Sequence, residues 1–190
     1  MDEKQVLELF LLTGTEESFC ALFEALYPRV RRYFVLRGLD RMAAEDLAQN
    51  VMFIVYRRAA EVRDRGLFNG WLMKVARNEL LQHWRRQPPP DWMVAFEPLS
   101  GSLGEQLSAP TVADEASHFA EWMTFLEPAE RELVRLRFIE ELSYDGLALV
   151  LDVPVGTVKW RIFNVRKKLS HIISRTSRDT VSEYPRKREL

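Results

Sequence analysis

Residues 143–169 read SYDGLALVLDVPVGTVKWRIFNVRKKL, and this stretch decides the fold. Ser143 is placed to cap a short helix carrying Leu147, Ala148 and Leu151. Asp152, Val153 and Pro154 then make a tight turn, with Pro154 near the first position of a second helix. The apolar residues of that helix fall at Val155, Val158, Ile162, Val165 and Leu169, a spacing that paints one face only. The opposite face carries Gly156, Thr157, Lys159, Trp160, Arg161, Asn164, Arg166 and Lys167. Short helix, turn and one-sided second helix make the helix-turn-helix pattern. A helix of this kind fits the major groove of B-DNA, where its N-terminal residues reach base edges and its cations neutralise phosphates. The small residues Gly156 and Thr157 let the backbone approach the duplex. An ordinary core helix with a solvated basic face would look similar, but the preceding short helix and turn favour DNA. Periodicity leaves Trp160 open between packing on the first helix and meeting DNA.

Working outward, nearly every periodic segment reads as helix, and none sustains the alternation of a half-buried strand. Val6, Leu7, Phe10 and Leu11 mark a short helix ending near Gly14. Thr15 caps a longer one with Phe19, Leu22, Phe23, Leu26, Val30 and Phe34 inside, kinked or short of one bond at Pro28, and stopped at Gly38. Asp40 caps a third helix, about 42–60, with a stripe of Leu47, Val51, Ile54 and Val55. A polar loop over 61–70 leads to Asn69, expected to cap a fourth helix, about 70–86, with Leu72, Val75, Ala76, Leu80 and Trp84 facing in. Pro88, Pro89 and Pro90 end it. The Pro-rich stretch to residue 115 lacks periodicity and reads as a linker. Helical pattern resumes after Asp114, and Pro128 opens a segment with Leu133, Leu136 and Phe138. The expected fold is all-α: two small helical domains, 1–87 and 116–170, joined by a flexible acidic linker over 88–115, with a polar, frayed tail over 171–190.

A formal net charge of −1 conceals segregated charge. From Gln87 to Glu127 there are seven acidic residues and no Lys or Arg; from Val155 to Leu169 there are five bases and no acid. Blocks of opposite sign meet different partners. The single cysteine, Cys20, rules out an intramolecular disulfide; among Phe19, Leu22 and Phe23 it reads as a buried thiol. No apolar run approaches the roughly 18 residues of a membrane span, and the start Met1-Asp2-Glu3-Lys4 is not a basic leader, so a cytoplasmic chain without membrane insertion is expected. His83, His118 and His171 lie outside any metal spacing, and neither a Gly-rich phosphate loop nor a nucleophile elbow occurs. The expectation is a non-enzyme with no cofactor and no metal.

Asp46, Gln49, Phe53 and Arg57 share one helix face. An aromatic beside polar groups suits a protein interface, although Phe53 as a core residue fits the pattern equally well. Between Arg63 and Arg86, bases (Arg65, Lys74, Arg77) interleave with aromatics (Phe68, Trp71, Trp84), the composition that neutralises phosphates while bases stack. Trp71 and Trp84 taken singly read as core.

Three of these runs resemble one family. AAEDLAQNVMFIVYRR (43–58) is similar to sigma region 2.2, FNGWLMKVARNELLQHWRR (68–86) resembles regions 2.3 and 2.4, and 143–169 resembles region 4.2, with a Val-Pro-Val-Gly-Thr-Val-Lys-x-Arg stretch specific to the extracytoplasmic-function group of RNA polymerase sigma factors. The resemblance implies an alternative sigma factor that binds polymerase core and directs it to promoters. Asp46, Gln49, Asn50 and Phe53 would meet the β′ clamp helices, and region 4 the β flap. Arg65, Phe68, Asn69, Trp71, Lys74, Arg77 and Asn78 would melt and read the −10 element. Gly156, Thr157, Lys159, Trp160, Arg161, Asn164 and Arg166 would meet the −35 element of promoter DNA. The acidic linker would thread toward the RNA path, and an anti-sigma factor would hold the free chain inactive. Departures from the family pattern fall at Asn50 and Gly146, where glutamate is common, at Gln82, at Trp160, where a small residue is usual, and at Asn164, where a base is usual. A repressor built on the same C-terminal fold is the alternative; it would need a receiver or ligand domain, and residues 1–87 lack the alternating strands of a receiver.

Overall fold

The computed structural model describes residues 2–88 and 122–182, with side chains as far as Ile172. Among these residues every regular element is helical. The expected linker lies outside the described residues, apart from Pro88.

Four helices build the N-terminal domain: α1 (Glu3–Thr13), α2 (Glu16–Val35), α3 (Arg41–Arg58) and α4 (Phe68–Arg86). Gly14 ends α1 in the left-handed region, at φ 59°, and its N–H donates to the Phe10 carbonyl at 2.8 Å. Thr15 Oγ1 accepts from the Ser18 N–H, and Asp40 Oδ1 accepts from the Ala43 N–H at 2.8 Å, so both expected caps are made. Pro28 sits inside α2, which runs through it to Val35. Leu22, Leu26, Val30 and Phe34 meet Leu47, Val51 and Val55 of α3 and Leu72, Ala76 and Leu80 of α4 in a continuous core.

Two local expectations are corrected here. Cys20 is exposed: it shares neither the buried 22-26-30 row of α2 nor the aromatic cluster beside it. The fourth helix begins at Phe68 rather than Gly70, after a 3-10 turn over Arg65–Leu67. Asn69 therefore lies within the first turn and caps nothing; its Oδ1 accepts from Arg29 Nη1 at 3.3 Å instead.

The C-terminal domain contains α5 (Pro128–Val134), a π-turn over Arg135–Ile139, α6 (Tyr144–Leu151) and α7 (Val155–Ser182). Pro128 opens α5 as expected. The π-turn, closed by the Glu140 N–H donating to the Arg135 carbonyl at 3.0 Å, turns Arg135 and Leu136 inward and leaves Phe138 exposed. Ser143 Oγ accepts from the Gly146 N–H at 3.0 Å, capping α6. Asp152 makes the turn at φ 55°, a left-handed position that Asp tolerates. Val158, Ile162 and Val165 are buried and Leu169 half-buried, as the stripe requires. Helix α7 continues to Ser182, so the first part of the expected frayed tail is helical.

The two domains also meet, which no local pattern announced. Helix α4 lies against α6, with Gly70 and Gly146 at the crossing. Arg37 Nη2 donates to Glu132 Oε2 at 2.7 Å, and Arg29 Nε to Glu140 Oε2 at 3.0 Å. Arg37, Arg135 and Glu140 are all buried along this seam.

Candidate polymerase and nucleic-acid interfaces

The first face lies on α3. Asp46, Gln49, Asn50, Phe53 and Arg57 are all exposed. Phe53 keeps 59% of its surface in solvent, which removes the core reading of this residue. The Arg57 guanidinium stands 5.6 Å from the Phe53 ring centroid. Met42, 74% exposed, extends the apolar character toward the start of α3. Tyr56, also exposed, belongs elsewhere: its ring packs edge-on to Phe19 at 4.8 Å.

The second face surrounds the start of α4. Arg65, Asn69 and Asn78 are exposed, while Trp71, Lys74 and Arg77 are half-buried. Phe68 is buried, its ring 5.7 Å from that of Trp71. Phe68, Trp71, Lys74 and Asn78 follow one another at helical spacing, so a single strip of α4 carries them. Arg65 Nη1 donates to the Val62 carbonyl at 2.7 Å and is directed along the loop. Trp84 is half-buried against the core, and His83 lies beside it at intermediate exposure.

The third face is the outer side of α7. Gly156, Lys159, Trp160, Arg161 and Arg166 are exposed; Thr157 and Asn164 are half-buried. Trp160 is 64% exposed, so it does not pack on α6. Phe163, equally exposed, was not singled out by sequence; it sits one residue off the buried Ile162, where the stripe assigns no role. Tyr144, Lys159, Phe163, Arg166 and Lys167 line one shallow groove, with the Lys159 ammonium 6.0 Å from the Tyr144 ring centroid. Lys168 differs from its basic neighbours: its Nζ donates to Glu130 Oε2 at 2.8 Å and ties α7 to α5. Burial pushes the Glu130 carboxyl up, but the Lys168 bond, the Glu127 backbone N–H and the Lys168 charge outweigh it, and the net shift is downward.

Inside the seam, burial drives the Tyr33 hydroxyl well above its ordinary range, partly offset by Arg37. Burial also lowers Arg135, and the charge of Arg37 lowers it further; with only Tyr33 opposing, it falls to about 10. Arg37 itself is held up: burial works against its charge, but Tyr33 and Glu132 overcome it. None of these groups lies on the three exposed faces. Among the described residues no three His, Cys, Asp or Glu side chains gather as a metal site, and no helix is long and apolar enough to cross a membrane.

The chain matches the family model for sigma-70 region 2 over residues 22–88 and that for sigma-70 region 4 over 125–169. It is 31% identical over 140 residues to the RNA polymerase sigma-H factor of Pseudomonas aeruginosa, covering 68% of this chain and 72% of that one. It is 29% identical over 153 residues to the ECF RNA polymerase sigma factor RpoE of Cereibacter sphaeroides, covering 77% and 81% of the two chains. It is 29% identical over 179 residues to the ECF RNA polymerase sigma-E factor of Escherichia coli strain K12, covering 88% and 92%. Among solved structures, CnrH in complex with the cytosolic domain of CnrY superposes with a TM-score of 0.58 at 19% identity, over 91% of this chain and 98% of that one, which is a likeness of fold.

Proposed function

The chain belongs to the extracytoplasmic-function sigma factors of the sigma-70 family, and from that premise we propose a division of labour among its three faces. The α3 face holds polymerase core, the start of α4 opens and reads the −10 element, and the outer side of α7 reads the −35 element. The polymerase supplies the chemistry. The observation that carries this reading is the exposure of Phe53 among Asp46, Gln49 and Arg57. A large aromatic left in water beside complementary polar groups is the composition of an interface anchor.

Each face works by a distinct physical means. On α3, Phe53 offers an apolar plug while Asp46 and Gln49 fix its register on the clamp helices of the β′ subunit. On α4, an unstacked base would lie on Trp71, a contact worth about 1–3 kcal/mol, with Lys74 and Arg77 neutralising the adjacent phosphates. On α7, Lys159, Arg161 and Arg166 exchange counterions for phosphates, while Thr157 and Asn164 reach toward base edges. Trp160 stands on the same outer surface, where it widens the contact beyond that of a small residue. Contact of the C-terminal domain with the β flap, and the path of the acidic linker toward the RNA exit, complete the proposal.

Control by an anti-sigma factor belongs to the same reading: CnrH was solved with the cytosolic domain of CnrY, and we extend a partner of that kind to this chain. Core pull-down tests the assignment of α3. Replacing both Asp46 and Gln49 by Ala should weaken capture of core polymerase and leave duplex DNA binding by the free chain intact. Undiminished capture sinks the assignment.

A further inference from the structure

We propose that the free chain holds itself in a closed state, its C-terminal domain docked on the N-terminal domain across the α4–α6 seam, and that this docking withholds the start of α4 from DNA. The proposal rests on the reading of α4 as the −10 face.

The seam has the features of a built interface. A Cβ on Gly70 would lie 2.8 Å from the Gly146 Cα and 3.1 Å from its carbonyl oxygen, so the two helix backbones approach as closely as only glycine permits. A Cβ on Gly146 would stand 3.6 Å from the Gly70 Cα, an ordinary contact, so it is position 70 that admits no side chain. The glycine at 70 is therefore what lets α6 seat on α4.

Charge completes the fit. Arg37 lies in the turn that follows α2, yet its carboxylate partner is Glu132 of α5, which also stands 3.4 Å from the Tyr33 hydroxyl. Arg29 reaches both the side chain and the carbonyl of Glu140, at 3.0 and 2.8 Å, and it also pairs with Glu3 of α1 at 3.2 Å and with Asn69 on the first turn of α4 at 3.3 Å. The Glu140 side chain is only 1% exposed. Each arginine meets a carboxylate across the seam, about a hundred residues away in sequence, and Arg29 holds Glu3 of its own domain as well. Such buried pairs add little net stability, because both partners are well solvated once separated. They do make a misaligned docking costly, since one misplaced partner leaves a buried charge unmatched. The combination defines one closed geometry that polymerase binding can reverse.

Closure acts selectively. It seats the Gly146 backbone on Gly70 beside the buried Phe68, and Asn69, itself exposed, is engaged by Arg29, while Phe53 on α3 and Lys159, Trp160 and Arg161 on α7 remain exposed. The free chain can thus meet core, or duplex through α7, before the −10 face is released. A competence withheld in this way lowers apparent affinity by the fraction of chains that are open.

Energy transfer on the full chain tests this, with one dye on the exposed Cys20 and a second on Ser170→Cys. Wild type should show high transfer. Gly70→Ala improves helix propensity in α4 but drives a Cβ into the Gly146 backbone; Glu132→Arg sets a third positive charge beside Arg37 and Arg135. Both should lower transfer while far-ultraviolet circular dichroism stays unchanged. Both should also tighten binding of a random-sequence single-stranded oligonucleotide of about 12 nucleotides by about tenfold, counting the part of the binding lost on Trp71→Ala. Transfer that is already low in wild type, or high and unchanged in both variants, overturns the closed state. Lower transfer with oligonucleotide binding no tighter than wild type overturns the withholding of α4. If no form shows a Trp71-dependent component while transfer falls as expected, the closed state stands and the −10 reading of α4 is what fails.

Discussion

Replacing Lys159, Arg161 and Arg166 together by Ala should flatten the salt dependence of duplex DNA binding. All three are exposed on the outer side of α7, and none takes part in the ion pairs formed among the described residues. Each phosphate contact contributes a slope of about 0.9 in the plot of log affinity against log salt. Three lost contacts should lower the slope by about 2.7. Between about 50 and 200 mM salt, wild type should then lose about 40-fold more affinity than the triple variant. Fluorescence anisotropy of a labelled duplex, titrated with the free chain at several salt concentrations, reads the slope directly. Lys168→Ala is the internal control: that ammonium is engaged by Glu130 at 2.8 Å, so its loss should leave the slope nearly unchanged. A triple variant with the wild-type slope, or a Lys168 variant that loses as much slope as any one of the three, would refute the assignment of this face.

Phe53→Ala should weaken core polymerase binding by about 2 kcal/mol, about 30-fold, without lowering the melting temperature, because the ring is exposed. A melting temperature that falls while core binding holds would return Phe53 to a packing role. Leu72→Ala, at a fully buried site, should cost about 2–5 kcal/mol in urea unfolding, whereas Leu12→Ala, at 85% exposure, should stay within about 0.5 kcal/mol; equal losses would contradict the core described for α4. The Glu130 carboxyl is held below its ordinary value of 4.5, so its contribution to stability is present above that value and fades as pH falls through the lower folded-state value. Thermal melts of wild type and Lys168→Ala should therefore differ near neutral pH and converge in acid; a gap that widens in acid has the wrong sign.

What the sequence made legible was local. The row Val155, Val158, Ile162, Val165 and Leu169 placed α7 correctly, since one helix and its period suffice to define a buried stripe. The caps at Thr15, Asp40 and Ser143 and the stop at Gly14 were equally readable, because a cap reaches only two or three residues along the chain. Faces with two readings needed tertiary structure. Phe53 and Trp160 turned outward and Phe138 with them, while Cys20 lay on the solvent side of α2 despite apolar neighbours in sequence. Asn69 stood where a cap belongs but went to Arg29.

The seam escaped altogether. Arg29, Arg37, Glu132 and Glu140 look like surface charges in any window of sequence, and their partners lie far outside it. One signal was present: a glycine within each of two helices, at 70 and 146, which costs helix stability and asks for a reason such as close backbone approach. The Gly146 departure was visible, but nothing local connected it with Gly70.

The division of labour is tested most directly by transcription with purified core polymerase on a library of bacterial promoter fragments. Wild-type chain should yield transcripts from a defined subset of templates that core alone does not use. Asp46→Ala with Gln49→Ala should abolish them while free-chain duplex binding persists. No promoter-specific transcript from any fragment, together with tight duplex binding by the chain alone, would contradict the account and favour a repressor.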